Sequence, residues 1–402
     1  MGPAERIVVV ISSLAGGGAE RVAIDLCRYL CGAGRSVTLL TLSGDDPDIY
    51  AIPEGVRRAR LEIRKTAGSI SETIRFSFGQ ITVIRRSIVA EKPDVVVSFL
   101  DQTNVRVLVS SLGTGIPVIV AERTDPRHHF VRRAWRVARW LVYPMASLVL
   151  VQTSDVARWF RRTTPVRRLA IIPNAVRYQE DLRLTRVEDP TPRPFNVICA
   201  MGRLGPGKGF DLLLDAFGRS GLIEDGWRLE IMGEGGEREA LSRRAEALGI
   251  SQALSLPWRI DGIGPRLAAA DIFVLSSRYE GFPNALLEAM QMGKACVSFD
   301  CPSGPRDLID DGRNGLLVPA EDVDGLSAAL KRLARDADLR RRLGAEAAGV
   351  VEQFSPARVY GRWLSLIDAV ATRDRGAVVA ASGQGDYHRN IDRRKYRSAK
   401  ND

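Results

Sequence analysis

Two glutamates frame the chemistry this sequence can do. They lie in Ser276-Ser277-Arg278-Tyr279-Glu280-Gly281-Phe282-Pro283-Asn284-Ala285-Leu286-Leu287-Glu288-Ala289-Met290, where a predicted strand ends at the serines, Gly281 and Pro283 make a turn, and a helix begins near Asn284. Glu280 then stands in the loop and Glu288 on the helix, so both carboxylates can face one cleft. Carboxylates accept hydrogen bonds from sugar hydroxyls, and the free amides of a helix start take a phosphate oxygen. The competing use of the same residues is a loop acid and a solvated helical acid.

A second segment, Gly202-Arg203-Leu204-Gly205-Pro206-Gly207-Lys208-Gly209, also follows a predicted strand. Its glycines expose a loop with two cations, the planar fork of Arg203 and the point charge of Lys208, both suited to a diphosphate. Two solvated surface cations are the alternative. Gly209 stands where a P-loop needs Ser or Thr, which argues against a nucleoside triphosphatase of that kind. Nearer the amino end, Gly16-Gly17-Gly18-Ala19-Glu20-Arg21 opens a helix running to about Tyr29. Arg21 occupies the place of the third glycine of a dinucleotide fingerprint, and no acid closes the next strand to hold a ribose. For this segment a phosphate cradle and a plain tight turn both stand.

Together the three segments resemble family 4 glycosyltransferases of the GT-B fold. The resemblance runs from about Arg6 to about Ala371 and includes Gly304-Pro305-Arg306-Asp307 and Asn314-Gly315-Leu316-Leu317-Val318-Pro319. The glutamate pair in its setting is its most specific part. It implies an α/β protein of two Rossmann-like doubly wound domains facing across a cleft, and a retaining transfer of a hexose or N-acetylhexosamine from a nucleotide sugar, UDP-linked, to a glycan. By the same resemblance Arg203 and Lys208 bind the donor diphosphate, Glu288 the nucleotide ribose and Glu280 the transferred sugar. Gly17, Gly18, Gly281, Phe282, Asn284, Ala285 and Leu286 complete the expected substrate-binding set, with amides near Gly17 and Leu286 at the phosphates.

One departure stands out. Many relatives carry a histidine after the fifth strand of the first domain, whereas this chain reads Val120-Ala121-Glu122-Arg123-Thr124-Asp125-Pro126. Glu122 and Arg123 are the substitutes by position, with His128 or His129 in reach only if the loop folds back. The same run looks like a subset of bacterial enzymes that extend lipid-linked or surface polysaccharides, so a lipid-linked or oligosaccharide acceptor is expected. No cofactor and no metal are expected: Asp46-Pro47-Asp48, the one Asp-x-Asp, lies in a polar loop far in sequence from the diphosphate elements.

The elements that must position these residues follow from pattern. Short Val, Ile and Leu runs alternate with segments of helical period, which argues for parallel sheets wrapped by helices. Strands are predicted at Arg6–Ser12, Ser36–Leu42, Arg58–Ile63, Val95–Leu100, Pro117–Glu122, Ser147–Gln152 and Arg168–Ile172, then at Asn196–Met201, Arg228–Met232, Ala253–Leu256, Ile272–Ser276, Ala295–Phe299 and Leu316–Val318. A polar stretch between Pro173 and Pro194 separates the sets and reads as a linker. The expected division is an acceptor-binding domain over 1–178, a nucleotide-sugar domain over 195–355, a helix over 356–372 packing back on the first domain, and a basic disordered tail over 373–402. One helical stretch is expected from Val323 to about Gln353.

A chain of 402 residues exceeds the size at which one core keeps growing. With 58 Lys and Arg against 48 Asp and Glu, the net charge of +10 favours acidic partners. Nucleic acid would fit that charge, and a nucleic-acid-binding or scaffold protein is the rival class, but a nucleic-acid groove gains nothing from paired carboxylates. An epimerase of the same fold is the rival enzyme. In Val131-Arg132-Arg133-Ala134-Trp135-Arg136-Val137-Ala138-Arg139-Trp140-Leu141-Val142, the residues Val131, Trp135, Ala138 and Val142 fall on one helical face and Arg132, Arg136 and Arg139 on another. That pattern suits an anionic membrane surface as well as a core-packed helix. Five cysteines without a Cys-x-x-Cys pair fit a reducing compartment. The location expected is therefore cytoplasmic, peripheral on the inner face of the plasma membrane.

Overall fold

The computed structural model describes residues 2–43, 48–63, 70–128, 133–177, 195–257 and 263–381. The chain forms two compact units. The first comprises Met1–Ala175 together with the chain from Ala357 onward, and the second is Val176–Pro356.

In the first unit β1 (Arg6–Ile11), β2 (Ser36–Thr41), β3 (Arg57–Arg60), β4 (Val95–Phe99), β5 (Val118–Ala121), β6 (Leu148–Val151) and β7 (Leu169–Ile171) form one sheet of order β3-β2-β1-β4-β5-β6-β7. All neighbouring pairs are parallel, with Val9 of β1 opposite both Leu39 of β2 and Val97 of β4. Branched residues dominate the central strands, and β4, β5 and β6 are buried throughout, as strands covered on both faces must be. The helix Ser154–Thr163 shows how the connections are fixed: Thr153 caps it by accepting from the Val156 amide, and Arg161 and Arg162 sit in its last turn against the helix dipole.

The second unit repeats the plan. Strands β8 (Asn196–Met201), β9 (Trp227–Met232), β10 (Leu254–Ser255), β11 (Ile272–Leu275), β12 (Ala295–Asp300) and β13 (Leu316–Pro319) take the order β10-β9-β8-β11-β12-β13, again parallel. The boundary between the two units falls inside the stretch from Pro173 to Pro194 expected as the linker. The amide of Val176 donates to the Phe354 carbonyl at 2.8 Å, so Val176 and Arg177 belong to the second unit rather than to a first domain ending at 178. Residues 178–194 lie outside the described residues.

Two further expectations are corrected. The stretch from Val323 is not one helix but three, Val323–Arg335, Ala337–Ala348 and Val350–Gln353. Asp336 breaks it by accepting from the Leu339 amide at 2.8 Å, because a short acid competes for backbone donors and so starts a new helix. The segment from 373 is not disordered at its start, since Arg375–Ala381 is helical; residues 382–402 lie outside the described residues.

The helix Pro356–Ala371 returns the chain to the first unit. Its Trp363 is fully buried and stacks on Phe99 of β4 at 5.7 Å between ring centroids, Tyr360 lies 5.9 Å from Tyr29, and Asp368 pairs with Arg35 at 3.0 Å. Burying the indole stabilises the unit substantially: truncating such a side chain to alanine costs about 3–5 kcal/mol.

Candidate functional site

In the second sheet the strand order reverses between β8 and β11, the place where the loops leaving two adjacent strands part and open a crevice. The loop after β8 is Gly202–Gly209 and the loop after β11 runs from Ser276 to Pro283. They lie against each other. Gly209 has φ +58°, and a Cβ there would stand 2.1 Å from the Ser276 carbonyl oxygen, so only glycine permits the approach. The contact is fastened by Ser276 Oγ donating to the Lys208 carbonyl and by the Arg278 amide donating to the Gly207 carbonyl, each at 2.9 Å.

These bonds bring Lys208 and Glu280 together across 72 residues of sequence, with Nζ to Oε1 at 2.6 Å. Ser277 Oγ donates to the same Oε1 at 2.6 Å, and the Glu280 amide donates to the Pro302 carbonyl at 3.3 Å. Burial with Glu280 close by pushes the Cys301 thiol up to about 12, so it stays protonated beside the carboxylate. Arg203, on the same glycine loop, is exposed and has no ion pair among the described residues. Its neighbour in type, Arg278, is spent on Asp211 at 2.7 Å.

Glu288 is buried on the helix Asn284–Gln291, as the spacing requires, and Arg177 Nε lies 3.0 Å from its Oε1. Gln291 fastens Arg177 from the same helix, its amide group accepting from the Arg177 amide at 3.1 Å and donating to the Arg177 carbonyl at 2.9 Å. Sequence reasoning missed Arg177 because it sits in a polar linker-like stretch with no pattern around it. At the helix start the first internal bond runs from the Leu287 amide to the Pro283 carbonyl, so the amides of Ala285 and Leu286 have no acceptor within the helix. Gly281 lies in the preceding turn, where its carbonyl accepts from Ser303 Oγ at 3.3 Å. The Phe282 and Leu286 side chains are core residues, Phe282 with its ring 6.3 Å from that of Phe354. Those two positions offer a ligand backbone only.

The first unit carries the remaining predicted residues at the carboxyl edge of its own sheet. Gly18 begins the helix Gly18–Gly32, Gly17 caps it, and the Gly17 carbonyl accepts from the Arg21 amide at 3.1 Å and from Tyr50 OH at 3.2 Å. Glu122 and Arg123 follow β5 and have different partners. Glu122, 1% exposed, accepts from Tyr143 OH, and Asn104 Nδ2 donates to that same phenol oxygen at 3.1 Å. Burial pushes the Glu122 carboxyl up to about 7, against the pull of the Arg139 charge and the Tyr143 bond. Arg123 Nη2 donates to Asn174 Oδ1, and the guanidinium lies 5.9 Å from the Phe99 ring centroid. Burial brings Arg123 down to about 10, with Tyr360 acting against the shift and the like charge of Arg21 adding less to it. Glu122 is thus held in the fold by a tyrosine and does not stand open to a reactant. Asn104, Tyr143 and Asn174 were invisible in sequence, being ordinary polar residues far apart in the chain. His128 is exposed, and His129 lies outside the described residues.

The basic helix is corrected in detail. It is described from Arg133 to Val142; Val131 and Arg132 lie outside the described residues. Trp135, Ala138 and Val142 pack against the core of the first unit, and Arg139 is buried, with its guanidinium 5.2 Å from the Trp159 ring, so among the described residues Arg136 alone of the predicted arginine set reaches the solvent face. The exposed face instead carries Val137, Trp140 and Leu141 with Arg133 and Arg136, and Met145 continues it. Asp48 is engaged by Arg58 at 2.5 Å and Arg60 at 2.6 Å, while Asp46 and Pro47 lie outside the described residues. Among the described residues no cluster of His, Cys, Asp or Glu has metal-holding geometry, and no helix is long and apolar enough to cross a membrane.

The family described as Glycosyltransferase Family 4 matches residues 16–180, and that described as Glycosyl transferases group 1 matches residues 184–350. A Campylobacter jejuni protein, GalNAc-alpha-(1->4)-GalNAc-alpha-(1->3)-diNAcBac-PP-undecaprenol alpha-1,4-N-acetyl-D-galactosaminyltransferase, is 25% identical over 366 residues, covering 91% of this chain and 99% of that protein. The lipopolysaccharide core biosynthesis glycosyltransferase LpsD of Rhizobium meliloti is 30% identical over 258 residues, 62% of this chain and 72% of LpsD. Among solved structures, Anabaena HepE in complex with UDP and glucose superposes with a TM-score of 0.73 at 18% identity, covering 89% of this chain and 97% of HepE.

Proposed function

We infer the function from one premise: this chain belongs to family 4 of the glycosyltransferases and has their GT-B fold of two parallel-sheet α/β domains. The reading is a retaining transferase that moves a hexose or N-acetylhexosamine from a UDP-sugar to a lipid-linked or surface-polysaccharide glycan. The observation that carries it is the 2.6 Å Lys208–Glu280 pair at the reversal point of the second sheet, with Glu288 on the helix that follows. A cation for a diphosphate, a carboxylate for sugar hydroxyls and a second carboxylate for ribose hydroxyls stand on two adjoining loops and one helix. The relatives support the acceptor class, one being named for a diphospho-undecaprenol-linked substrate and another for lipopolysaccharide core synthesis. HepE, solved with UDP and glucose, supports the nucleotide.

In this reading the bond from the anomeric carbon to the donor phosphate breaks as the acceptor oxygen bonds the same face of the sugar. The acceptor proton passes to the leaving phosphate. Lys208, Arg203 and the amides of Ala285 and Leu286 neutralise the diphosphate, the task that a divalent metal performs elsewhere. Glu280 orients the sugar and Glu288 holds the ribose; on the first domain Gly17 and Gly18 offer backbone to a phosphate and Arg123 is the residue after β5 assigned to a reactant, while Glu122 acts only through the fold. The enzyme is assigned to the cytoplasmic face of the plasma membrane, where Val137, Trp140 and Leu141 with Arg133 and Arg136 would meet anionic lipid.

The test is a scan of nucleotide sugars for thermal stabilisation and hydrolysis, run with and without excess EDTA. UDP and a UDP-sugar should raise the melting temperature, as ligands of the native state do, and rates should be unchanged by the chelator. A rate abolished by EDTA and restored by Mn²⁺ overturns the metal-free step. No response to any nucleotide overturns the donor assignment.

A further inference from the structure

The first unit holds a cavity at the end of its sheet opposite the predicted site residues. Val118, Ser147 and Arg168 line it at the amino ends of the neighbouring strands β5, β6 and β7, whereas Glu122 and Arg123 follow the carboxyl end of β5. The four residues of β5, at about 3.3 Å each, hold the two ends about 13 Å apart, so the cavity is no part of the reaction edge. Val370 and Arg373 close it from the end of the helix Pro356–Ala371. Its volume is about 480 Å³, which is the size of a small-molecule site.

The charge of the cavity is one-sided. Two arginines line it and no Asp or Glu does. Arg168 is half-buried and has neither an ion pair nor a side-chain hydrogen bond among the described residues. Arg373 Nη2 donates to the Gly115 carbonyl at 3.1 Å, and its guanidinium has no acid partner among the described residues. The backbone at Arg373 has φ +58°, the left-handed conformation for which a helix end favours glycine, yet an arginine occupies it. Carbonyls that would oppose an anion are already engaged: Arg85 Nη1 donates to those of Ser110 and Leu112, at 3.0 and 2.5 Å, where the helix Asp101–Ser110 ends. Ser111, 8% exposed, also lines the cavity, and its Oγ has no hydrogen-bond partner among the described residues, an exception to the rule that buried hydroxyls are satisfied.

The rim is apolar. Leu112 and Met145 both line the cavity and remain 46% and 53% exposed. The chain beyond Ala381 has the wrong sign to supply the missing charge, with six Lys and Arg against three Asp.

We propose that this cavity binds a phosphate ester with a short apolar body, its phosphate held by Arg168 and Arg373 and its apolar part by Leu112 and Met145. Guanidinium forks match phosphate oxygens, and neither arginine gives up an ion pair to meet them. A lipid headgroup and a free phosphorylated metabolite share this chemistry. The site is independent of the transferase reading, because it shares no residue with the donor loops or with the carboxyl edge of the first sheet.

Dihexanoyl phosphatidic acid, kept below its micelle-forming concentration, is the lipid probe, and glycerol 3-phosphate is the free one. Each is titrated by calorimetry into the full chain carrying Lys208→Ala, so that the second unit's cation loop does not mask the result. The lipid probe should bind, and adding Arg168→Gln should weaken it about ten- to a hundredfold, the range for loss of a charge-assisted contact. Arg373→Gly should weaken it likewise without lowering the melting temperature, since glycine suits the backbone there, and this keeps the test valid if Arg168→Gln melts early. Leu112→Ser should weaken the lipid probe and spare glycerol 3-phosphate. Arg133→Gln with Arg136→Gln should change neither affinity, which separates the cavity from the exposed face of the basic helix.

Affinity unchanged by both Arg168→Gln and Arg373→Gly overturns the site, as does failure of both probes to bind. Equal affinity for the two probes, each lost in Arg168→Gln, overturns the apolar part of the proposal and assigns the cavity to a free phosphate ester.

Discussion

Lys208 Nζ stands 2.6 Å from Glu280 Oε1, so the cation assigned to the donor diphosphate and the carboxylate assigned to the donor sugar are each other's counterion. Glu280 keeps Ser277 as a second partner on the same oxygen. A donor entering this loop must therefore redirect a formed ion pair rather than meet two free groups, and the two residues should not behave independently.

Lys208→Ala should lower kcat/KM for the nucleotide sugar by about ten- to a hundredfold, the equivalent of about 1.5–3 kcal/mol for a hydrogen bond to a charged group. Arg203→Ala should lower it as well. Because Arg203 is exposed and has no described ion-pair partner, its loss should leave the melting temperature unchanged, whereas Lys208→Ala leaves the buried Glu280 short of a counterion and should lower it. Initial rates and melting curves of the two variants check both statements. Wild-type rates in both would return these residues to ordinary surface cations.

Glu288 and Arg177 should show coupled effects on nucleotide affinity. Glu288→Ala removes the ribose acceptor and should weaken UDP binding; Arg177→Ala leaves the buried carboxylate unpaired and should weaken it by a different route. Titration of UDP into both single variants and the double variant yields the coupling, expected in the range of about 0.5–3 kcal/mol for residues in contact. Strict additivity would mean that the 3.0 Å pair plays no part in holding the nucleotide.

The Glu122 carboxyl gives stability a pH dependence of known sign. In the fold it titrates near 7, raised by burial from an ordinary value of 4.5. Its proton is held more tightly in the native state, so its contribution is complete below the unfolded value and is lost as pH rises through about 7. Glu122→Gln keeps an acceptor for Tyr143 and cannot ionise. Its melting temperature relative to wild type should therefore climb between about pH 5 and pH 8, and a difference that stays flat across that range would falsify the assignment.

For the membrane surface, co-sedimentation with anionic liposomes should weaken as salt rises, since attraction between exposed charges extends only about 10 Å at 0.1 M. Replacing Arg133 and Arg136 by glutamine should reduce binding, each arginine near the surface being worth about 1 kcal/mol. Trp140→Ala should reduce it too, and UDP affinity should be unaffected. Equal recovery with neutral and anionic liposomes would count against this face. Arg139 is excluded from the test, because it is buried beneath the helix.

The sheets were legible in sequence wherever side chains alone set the outcome. Val8, Val9 and Val10 can only be a strand sealed on both faces, whereas the close approach of Gly209 to the Ser276 carbonyl had no sign in the sequence. Glu280 and Glu288 were legible because their spacing, turn and helix start lie within one segment. What stayed hidden depended on distance along the chain. Nothing near Glu122 announces that Tyr143 will bond it, and nothing near Arg139 announces that Trp159 will cover it. Arg177 escaped for a related reason: its partner, Glu288, stands 111 positions away, and the residues around Arg177 carry no periodicity.

The return of the helix Pro356–Ala371 makes the second unit an insertion within the first. Strand β4 is made early, yet the indole that covers Phe99 is synthesised 264 residues after it. Until then the first sheet has an open flank along Phe99 and Tyr29, and the whole second unit must be synthesised in the interval. The second unit, contiguous in sequence, has no such wait. Folding order during synthesis should therefore invert the order of the chain, with the second unit reaching protease resistance on stalled ribosomes before the first. Early protection of the first unit, ahead of Trp363, would show that its core closes without the returning helix.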